Sequence, residues 1–266
     1  MKNKKIAVIG IGNMGSAIVM GLVESNFLPY NDIFVADRKE ATLDRMNALG
    51  VNTFSSNIEA AQEAEVIIVA VKPYHIEGVI NELKPLLSSD KILISIVAGV
   101  SLEVLGEMVG SEIPIFRVMP NTAIAIQESL TCISANGNTE VHKEYIFKLF
   151  DSLGKTVEID EDLMSAATAL SSCGIAYALR YIRAAMQGGI EIGFSAEKAQ
   201  FITAQTVKGA AELILQRGNH PEREIDKVTT PMGVTITGLN EMEHKGFSSS
   251  LIQGILASYK KMNPTQ

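Results

Sequence analysis

The stretch Ile6-Ala-Val-Ile-Gly10-Ile-Gly12-Asn-Met-Gly15 sets a Gly-x-Gly-x-x-Gly motif between a short apolar run and a helical pattern. This arrangement is typical of the first strand, turn and helix of a dinucleotide-binding fold. Gly10 permits the tight turn, Gly12 lets the backbone approach the pyrophosphate, and Gly15 allows the helix to pack closely on the strand. A glycine-rich turn without a ligand is the alternative. The context favours a cofactor loop made of Gly10, Ile11, Gly12, Asn13, Met14 and Gly15.

Short Val- and Ile-rich runs alternate with helical patterns over the first 160 residues. Such alternation indicates a parallel sheet that helices cover on both faces. The predicted strands are residues 6–9, 33–36, 66–71, 92–97 and 115–119, and the predicted helices are 16–23, 41–49, 76–83 and 102–108. Two later runs, 131–134 and 156–159, are expected to add edge strands.

Beyond residue 160, Ala, Leu and Met at helical spacing replace the strand-like runs. Helices are predicted at 163–190, 196–216, 233–244 and 248–262, with Gly218 and Pro221 in a loop between two of them. Segment 163–190 is apolar on nearly every side, which is typical of a helix buried all round. The few helices nearby can hardly surround it, so we expect a second subunit to complete the core. A compact monomeric helical domain is the alternative.

The predicted fold class is therefore α/β, with an N-terminal Rossmann dinucleotide-binding domain and a C-terminal all-helical dimerisation domain. The predicted boundaries are residues 1–160 for the Rossmann domain and 161–266 for the helical dimerisation and substrate domain.

Composition excludes several classes of partner. The net charge is −7 and the chain has no basic block, so we expect no nucleic-acid partner. The apolar segment 166–186 is interrupted by Arg180 and Arg183, so we expect no membrane partner. Cys132 and Cys173 are too few for a disulfide framework, which favours the cytoplasm. The four histidines fall at no metal-ligand spacing, so we predict no metal.

The end of the second predicted strand bears on the choice of cofactor. Asp37 lies about 20 residues past the glycines, where an acid would bind the ribose 2′-hydroxyl of NADH. Its neighbour Arg38 would instead favour the 2′-phosphate of NADPH, so both cofactors stay open. Loops after the next two strands would line the same crevice, through Ala70, Val71, Lys72 and Pro73 and through Val97, Ala98 and Gly99.

In six motifs the chain resembles the pyrroline-5-carboxylate reductases along essentially its whole length. They are Gly10-Ile-Gly-Asn-Met-Gly15, Ala70-Val-Lys-Pro73, Ser95-Ile-Val-Ala-Gly99, Arg117-Val-Met-Pro-Asn-Thr122, Glu161-Asp-Leu-Met and Val228-Thr-Thr-Pro-Met-Gly-Val-Thr-Ile-Thr-Gly238. The resemblance implies a Rossmann domain, a helical dimerisation domain and, in some members, higher assemblies of dimers. It also implies reduction of the cyclic imine 1-pyrroline-5-carboxylate to proline by NADPH or NADH, the last step of proline synthesis.

The resemblance also implies roles for individual residues. Asn57 would contact the cofactor, and Thr235 would be the catalytic residue, orienting the imine nitrogen. A purely structural Thr235, capping the following helix, is the alternative. The remaining substrate-side residues would be Glu161, Ser172, Cys173, Met232, Gly233 and Val234.

Two departures from the family pattern keep alternatives open. The family has Pro-Gly-Gly at Pro231-Met232-Gly233, and a proline where this chain has Ile175. Both segments face the substrate in the family, so a different cyclic imine, or a catalytically weak dinucleotide-binding homologue, remains an alternative. A β-hydroxyacid dehydrogenase is disfavoured, because it needs a general base such as lysine, and residues 163–190 contain no lysine or histidine.

Overall fold

The strands of the N-terminal half form where the chain carries short continuous apolar runs. The computed structural model describes residues 4–263. Within them, one eight-stranded sheet is formed in the order β3-β2-β1-β4-β5-β6-β7-β8. The strands are β1 (Ile6–Ile9), β2 (Ile33–Ala36), β3 (Asn52–Phe54), β4 (Val66–Val69), β5 (Ile92–Ser95), β6 (Ile115–Met119), β7 (Ser129–Ala135) and β8 (Gly154–Glu158).

Every pairing in the sheet is parallel except that of β6 with β7, which is antiparallel. The strand order reverses at β1, which lies between β2 and β4. In open sheets of this kind a ligand binds beyond the carboxyl ends of the strands at such a reversal. The loop after β1 is the glycine loop, so the topology puts it at that position.

Helices cover both faces of the sheet, as predicted. Side chains alternate along β1, so that Ile6 and Val8 join one apolar cluster while Ala7 and Ile9 join the other. The helices of this half are α1 (Asn13–Ser25), α2 (Glu40–Asn47), α3 (Asn57–Gln62), α4 (Ile76–Leu83), α5 (Leu102–Val109), α6 (Glu140–Asp151) and α7 (Met164–Ala167).

The C-terminal helices form a second compact unit, Gly174–Lys260, while the other described residues, 4–173 and 261–263, belong to the first. Its helices are α8 (Gly174–Glu191), α9 (Ala196–Arg217), α10 (Pro221–Val228), α11 (Val234–His244) and α12 (Phe247–Met262). Within residues 174–260, Ala199 is the one buried residue. Large apolar side chains are exposed instead, including those of Leu179, Ile192, Phe194, Phe201, Ile202 and Leu215.

Two details of the predicted helices were wrong. Pro221 begins α10 rather than lying in a loop, because proline needs no N–H at the first helical position and His220 caps the helix. The predicted helix 163–190 is interrupted by a π-helical turn, Thr168–Ser172. There the N–H of Cys173 donates to the carbonyl of Thr168, five residues back. None of the helices that the structure describes combines the length and apolar character needed to cross a membrane.

Candidate active site

The glycine loop joins β1 to α1, and its three glycines meet different surroundings. Gly10 has a φ of +92°, and a Cβ there would lie 2.7 Å from Val71 Cγ1. A Cβ on Gly15 would collide with the carbonyl oxygen of Gly10. A Cβ on Gly12 would meet no heavy atom within 4 Å. Gly10 and Gly15 are therefore required by the fold, while Gly12 borders open space at the N-terminus of α1, where a pyrophosphate fits.

The end of β2 holds this loop in place. The Gly10 N–H donates to the Ala36 carbonyl at 2.9 Å, and the Ile11 N–H donates to Asp37 Oδ2 at 2.8 Å. Asp37 Oδ1 accepts a second hydrogen bond, of 2.9 Å, from the Lys39 N–H. Both carboxylate oxygens of Asp37 are thus bound to backbone N–H groups. Its predicted contact with a ribose stays a prediction.

Arg38, unlike Asp37, points into solvent. Its side chain is exposed, and its Nη2 lies 3.3 Å from His75 Nε2. His75 is half-buried and packs against the Tyr74 ring at a centroid distance of 4.4 Å. The exposed Lys39 follows Arg38 in the chain. Arg38 and Lys39 are therefore two exposed cations that follow Asp37 directly in the chain. His75 and Tyr74 carry no sequence signal that would have identified them.

Asn57 is the first residue of α3, which follows the edge strand β3. Its Nδ2 donates to Glu82 Oε2 at 2.7 Å, so the amide is bound to another side chain. Ser56 caps the helix by accepting a hydrogen bond from the Glu59 N–H. The predicted contact of Asn57 with the cofactor stays a prediction.

The loops after β4 and β5 leave the sheet next to the glycine loop. The predicted runs 66–71 and 92–97 each end two residues early, at Val69 and Ser95, since the chain turns away there. The Ala70 N–H still bonds to the Ile9 carbonyl at 2.8 Å, which joins the Ala70-Val71-Lys72-Pro73 loop to the end of β1. Because β1, β4 and β5 are neighbours, the predicted residues 10–15, 70–73 and 97–99 lie along one sheet edge.

Glu161 lies near this edge in a short 3₁₀ turn, Glu161–Leu163. Its Oε1 accepts hydrogen bonds from Arg117 Nη1 at 2.8 Å and from the Leu102 N–H at 2.7 Å. Sequence reasoning missed Arg117 as a functional candidate. The signal was present, because a lone charge inside the apolar strand 115–119 needs a buried partner. The predicted contact of Glu161 with substrate stays a prediction.

Ser172 is the last residue of the π-helical turn, and Cys173 follows it. Ser172 Oγ donates to the Pro120 carbonyl at 2.8 Å, and the neighbouring Ser171 donates to the Leu130 carbonyl at 3.2 Å. These bonds attach the π-helical turn to the loop after β6 and to β7. Cys173 is a half-buried free thiol.

The predicted substrate turn, Met232, Gly233 and Val234, belongs to the second unit and leads into α11. Met232 has a φ of +61° and a fully exposed side chain, so a non-glycine residue occupies a left-handed position. A Cβ on Gly233 would lie 2.9 Å from the Thr230 carbonyl oxygen and 2.6 Å from its Oγ1, which favours glycine there. Gly233 is the N-cap of α11, without a side-chain cap. The alternative that Thr235 caps this helix is therefore wrong, since Thr235 is its second residue and is exposed.

Comparison with known proteins identifies the family. Residues 161–264 match the model described as pyrroline-5-carboxylate reductase dimerisation, and residues 5–99 match NADP oxidoreductase, coenzyme F420-dependent. Pyrroline-5-carboxylate reductase 2 of Dictyostelium discoideum is 40% identical over 99% of this chain and 94% of its own length. The chain belongs to the pyrroline-5-carboxylate reductase family. The predicted resemblance and the predicted fold class are confirmed.

Two further members of the pyrroline-5-carboxylate reductase family extend this comparison. Pyrroline-5-carboxylate reductase 1 of Dictyostelium discoideum is 43% identical over 96% of this chain, which spans only 49% of that protein's length. The crystal structure of Plasmodium falciparum pyrroline carboxylate reductase with NADP bound has a TM-score of 0.89 and 34% identity, covering 98% of both chains.

Proposed function

We propose that this protein reduces 1-pyrroline-5-carboxylate to L-proline, the last step of proline biosynthesis, with NADPH or NADH. One observation carries the proposal: the chain aligns with a pyrroline-5-carboxylate reductase over 94% of that protein's length. The glycine loop supports it, because Gly10 and Gly15 are fixed by packing while Gly12 borders open space at a helix N-terminus.

In this proposal the protein acts mainly by holding two reactants. Backbone N–H groups at the start of α1 would bind the pyrophosphate, and loops 70–73 and 97–99 would hold the nicotinamide ring. A bound reduced nicotinamide supplies a hydride to the imine carbon. Correct placement of two reactants can lower a barrier by roughly 7–11 kcal/mol, so strong acids or bases are not required.

The substrate would be held by the turn before α11. The N–H group of Val234 lies at the start of this helix, where a carboxylate is favoured. The Gly233 N–H donates instead to the Thr230 carbonyl at 2.9 Å, which fixes the turn that leads into the helix. The exposed Thr235 hydroxyl would orient the imine nitrogen as it gains a proton. A threonine hydroxyl is a poor acid, so the proton would come from water. The further substrate-binding residues that we propose are Glu161, Ser172 and Cys173 in the first unit and Met232 in the second.

We propose that the working form is a homodimer, which can join other dimers in a higher assembly. The dimerisation model matches residues 161–264, and the exposed apolar side chains of α8 and α9 need a partner surface. A cytoplasmic location suits the two free thiols. Burial raises the pKa of the Cys132 thiol, which keeps it protonated and unreactive at neutral pH.

The test is to follow the absorbance of NADPH and of NADH with 1-pyrroline-5-carboxylate and with a six-membered cyclic imine. We expect turnover with the five-membered imine, in excess over the larger ring. The matched control is Thr235→Ser, which keeps the hydroxyl, beside Thr235→Val, which removes it at nearly constant volume. Folded protein that binds NADPH but reduces neither imine would overturn the proposal. Preference for the six-membered ring would support the alternative cyclic imine.

A further inference from the structure

Arg117 and Glu161 form an ion pair close to the proposed nicotinamide site. Arg117 is 7% exposed, and its Nη1 lies 2.8 Å from Glu161 Oε1. The same oxygen accepts the Leu102 N–H at 2.7 Å. Leu102 is the first residue of α5, so one carboxylate oxygen joins β6 to the start of that helix.

The segment between β5 and α5 is fixed at both ends and has an exposed tip between them. At its first end the Val97 N–H donates to the buried Ser95 Oγ at 3.3 Å. At its far end Leu102 is held by Glu161. Between them Ala98 and Gly99 are exposed, and Gly99 has a φ of +78°, while Val100 is buried in the apolar core. The exposed tip, residues 98–99, is therefore placed by the segments on either side of it. Val100 anchors the far side through packing, and Glu161 anchors it through a hydrogen bond at Leu102.

Stability alone does not account for this ion pair. Arg117 stands in a strand whose neighbours Phe116 and Val118 are fully buried. Its Nε is buried and has no hydrogen-bond partner among residues 4–263. Burying a charge carries a large desolvation cost, and replacing such pairs with apolar residues is often neutral or stabilising. The pair does, however, hold β6, the start of α5 and the turn 161–163 in one arrangement. Its hydrogen bonds are directional, so they fix that arrangement more closely than an apolar contact would.

We propose that Glu161, held by Arg117, is a positioning residue for loop 97–99 and through it for the nicotinamide ring. The proposal rests on the proposed function, because the ring position comes from that assignment. It differs from the predicted substrate contact of Glu161, since it requires an effect before any substrate binds.

The test compares Glu161→Ala with Glu161→Gln, which keeps an oxygen acceptor for Leu102. The matched control is Asp162→Ala, an exposed acid in the same turn. Two binding quantities are measured: the affinity for adenosine 2′,5′-bisphosphate by calorimetry, and the fluorescence emission of bound NADPH without substrate. Three kinetic quantities are also measured: kcat, KM for the imine, and the kinetic isotope effect with NADPH deuterated at the transferred position.

For Glu161→Ala we expect unchanged affinity for the adenosine fragment, altered NADPH emission, kcat lower by about tenfold and a larger isotope effect. Glu161→Gln should give values close to those of the wild type for each of these measurements. Asp162→Ala should behave as wild type. If Glu161→Ala fails to fold, Arg117→Lys is used, which keeps the charge but not the guanidinium geometry. It should change the emission and leave the fragment affinity unchanged.

Unchanged NADPH emission with a raised KM for the imine would overturn the proposal and favour a direct substrate contact. If Glu161→Ala weakened the binding of adenosine 2′,5′-bisphosphate as much as it changed the emission of bound NADPH, the proposal would also be overturned. That result would show a general structural defect. If wild type fails to reduce the imine, the proposed function fails alone, since the emission measurement still tests the positioning role.

Discussion

Asp37 Oδ2 accepts a hydrogen bond of 2.8 Å from the backbone N–H of Ile11, inside the glycine loop. Its other oxygen accepts the Lys39 N–H at 2.9 Å. A carboxylate committed to two backbone donors stabilises the loop, and it has less capacity left for a ribose hydroxyl. The exposed Arg38 beside it is available for a phosphate.

For Asp37→Ala we expect weaker binding of both NADPH and NADH, because the glycine loop loses its anchor at the end of β2. Calorimetric titration of the variant with each nucleotide gives the two dissociation constants. A loss confined to NADH would contradict this expectation, since it would show that the carboxylate binds the ribose diol directly.

For Arg38→Ala we expect a roughly tenfold weaker affinity for NADPH and little change for NADH, because only NADPH carries the 2′-phosphate. Arg45→Ala is the matched control, since it removes an exposed arginine from α2. The effect should shrink at high salt. Equal losses for the two nucleotides would show that Arg38 does not recognise the phosphate.

For Gly12→Ala we expect a folded protein with at least tenfold weaker nucleotide binding. Gly12 has a φ of −75°, which alanine adopts readily, and the added methyl group meets no protein atom. Gly78→Ala on α4 is the control, because its added methyl group is equally unopposed. Normal nucleotide affinity in Gly12→Ala would mean that the pyrophosphate lies elsewhere.

Replacing Met232 with glycine should stabilise the protein by about 1 kcal/mol or less, measured as the denaturant midpoint. The left-handed backbone costs methionine about 1–2 kcal/mol, and the greater freedom of glycine in the unfolded chain offsets part of the gain. Met232→Ala keeps the Cβ and should leave the midpoint nearly unchanged. Equal shifts in the two variants would assign the effect to the methionine side chain.

The apolar runs predicted the sheet well because buried parallel strands need little besides continuous Val and Ile. β1, β2 and β6 have the predicted bounds. β3 has three residues and begins with a polar one, so no periodicity could reveal it. The run predicted at 131–134 became the interior strand β7, because β8 pairs along its outer side. Helices α3 and α6 were not predicted, although the buried residues of α6, Tyr145, Ile146, Leu149 and Phe150, follow helical spacing.

The site was predictable where backbone chemistry determines the residue type. Gly10 and Gly15 are required by contacts that any side chain would break, and the motif spacing contains that information. The roles of side chains were less accessible. Neither the bond from Ile11 to Asp37 nor the approach of His75 to Arg38 follows from spacing, because each joins segments that are distant in the chain. Recognising the family supplied the substrate, which no local pattern could.

The sparse interior of residues 174–260 has a consequence for how the folded fraction of the protein depends on its concentration. With Ala199 as their one buried residue, these helices have almost nothing of their own to fold around. In the homodimer that we propose, folding of this half and association of the chains are one bimolecular event, governed by mass action. The supply of subunits would then set not only how much enzyme a cell holds but how much of each chain is folded at all.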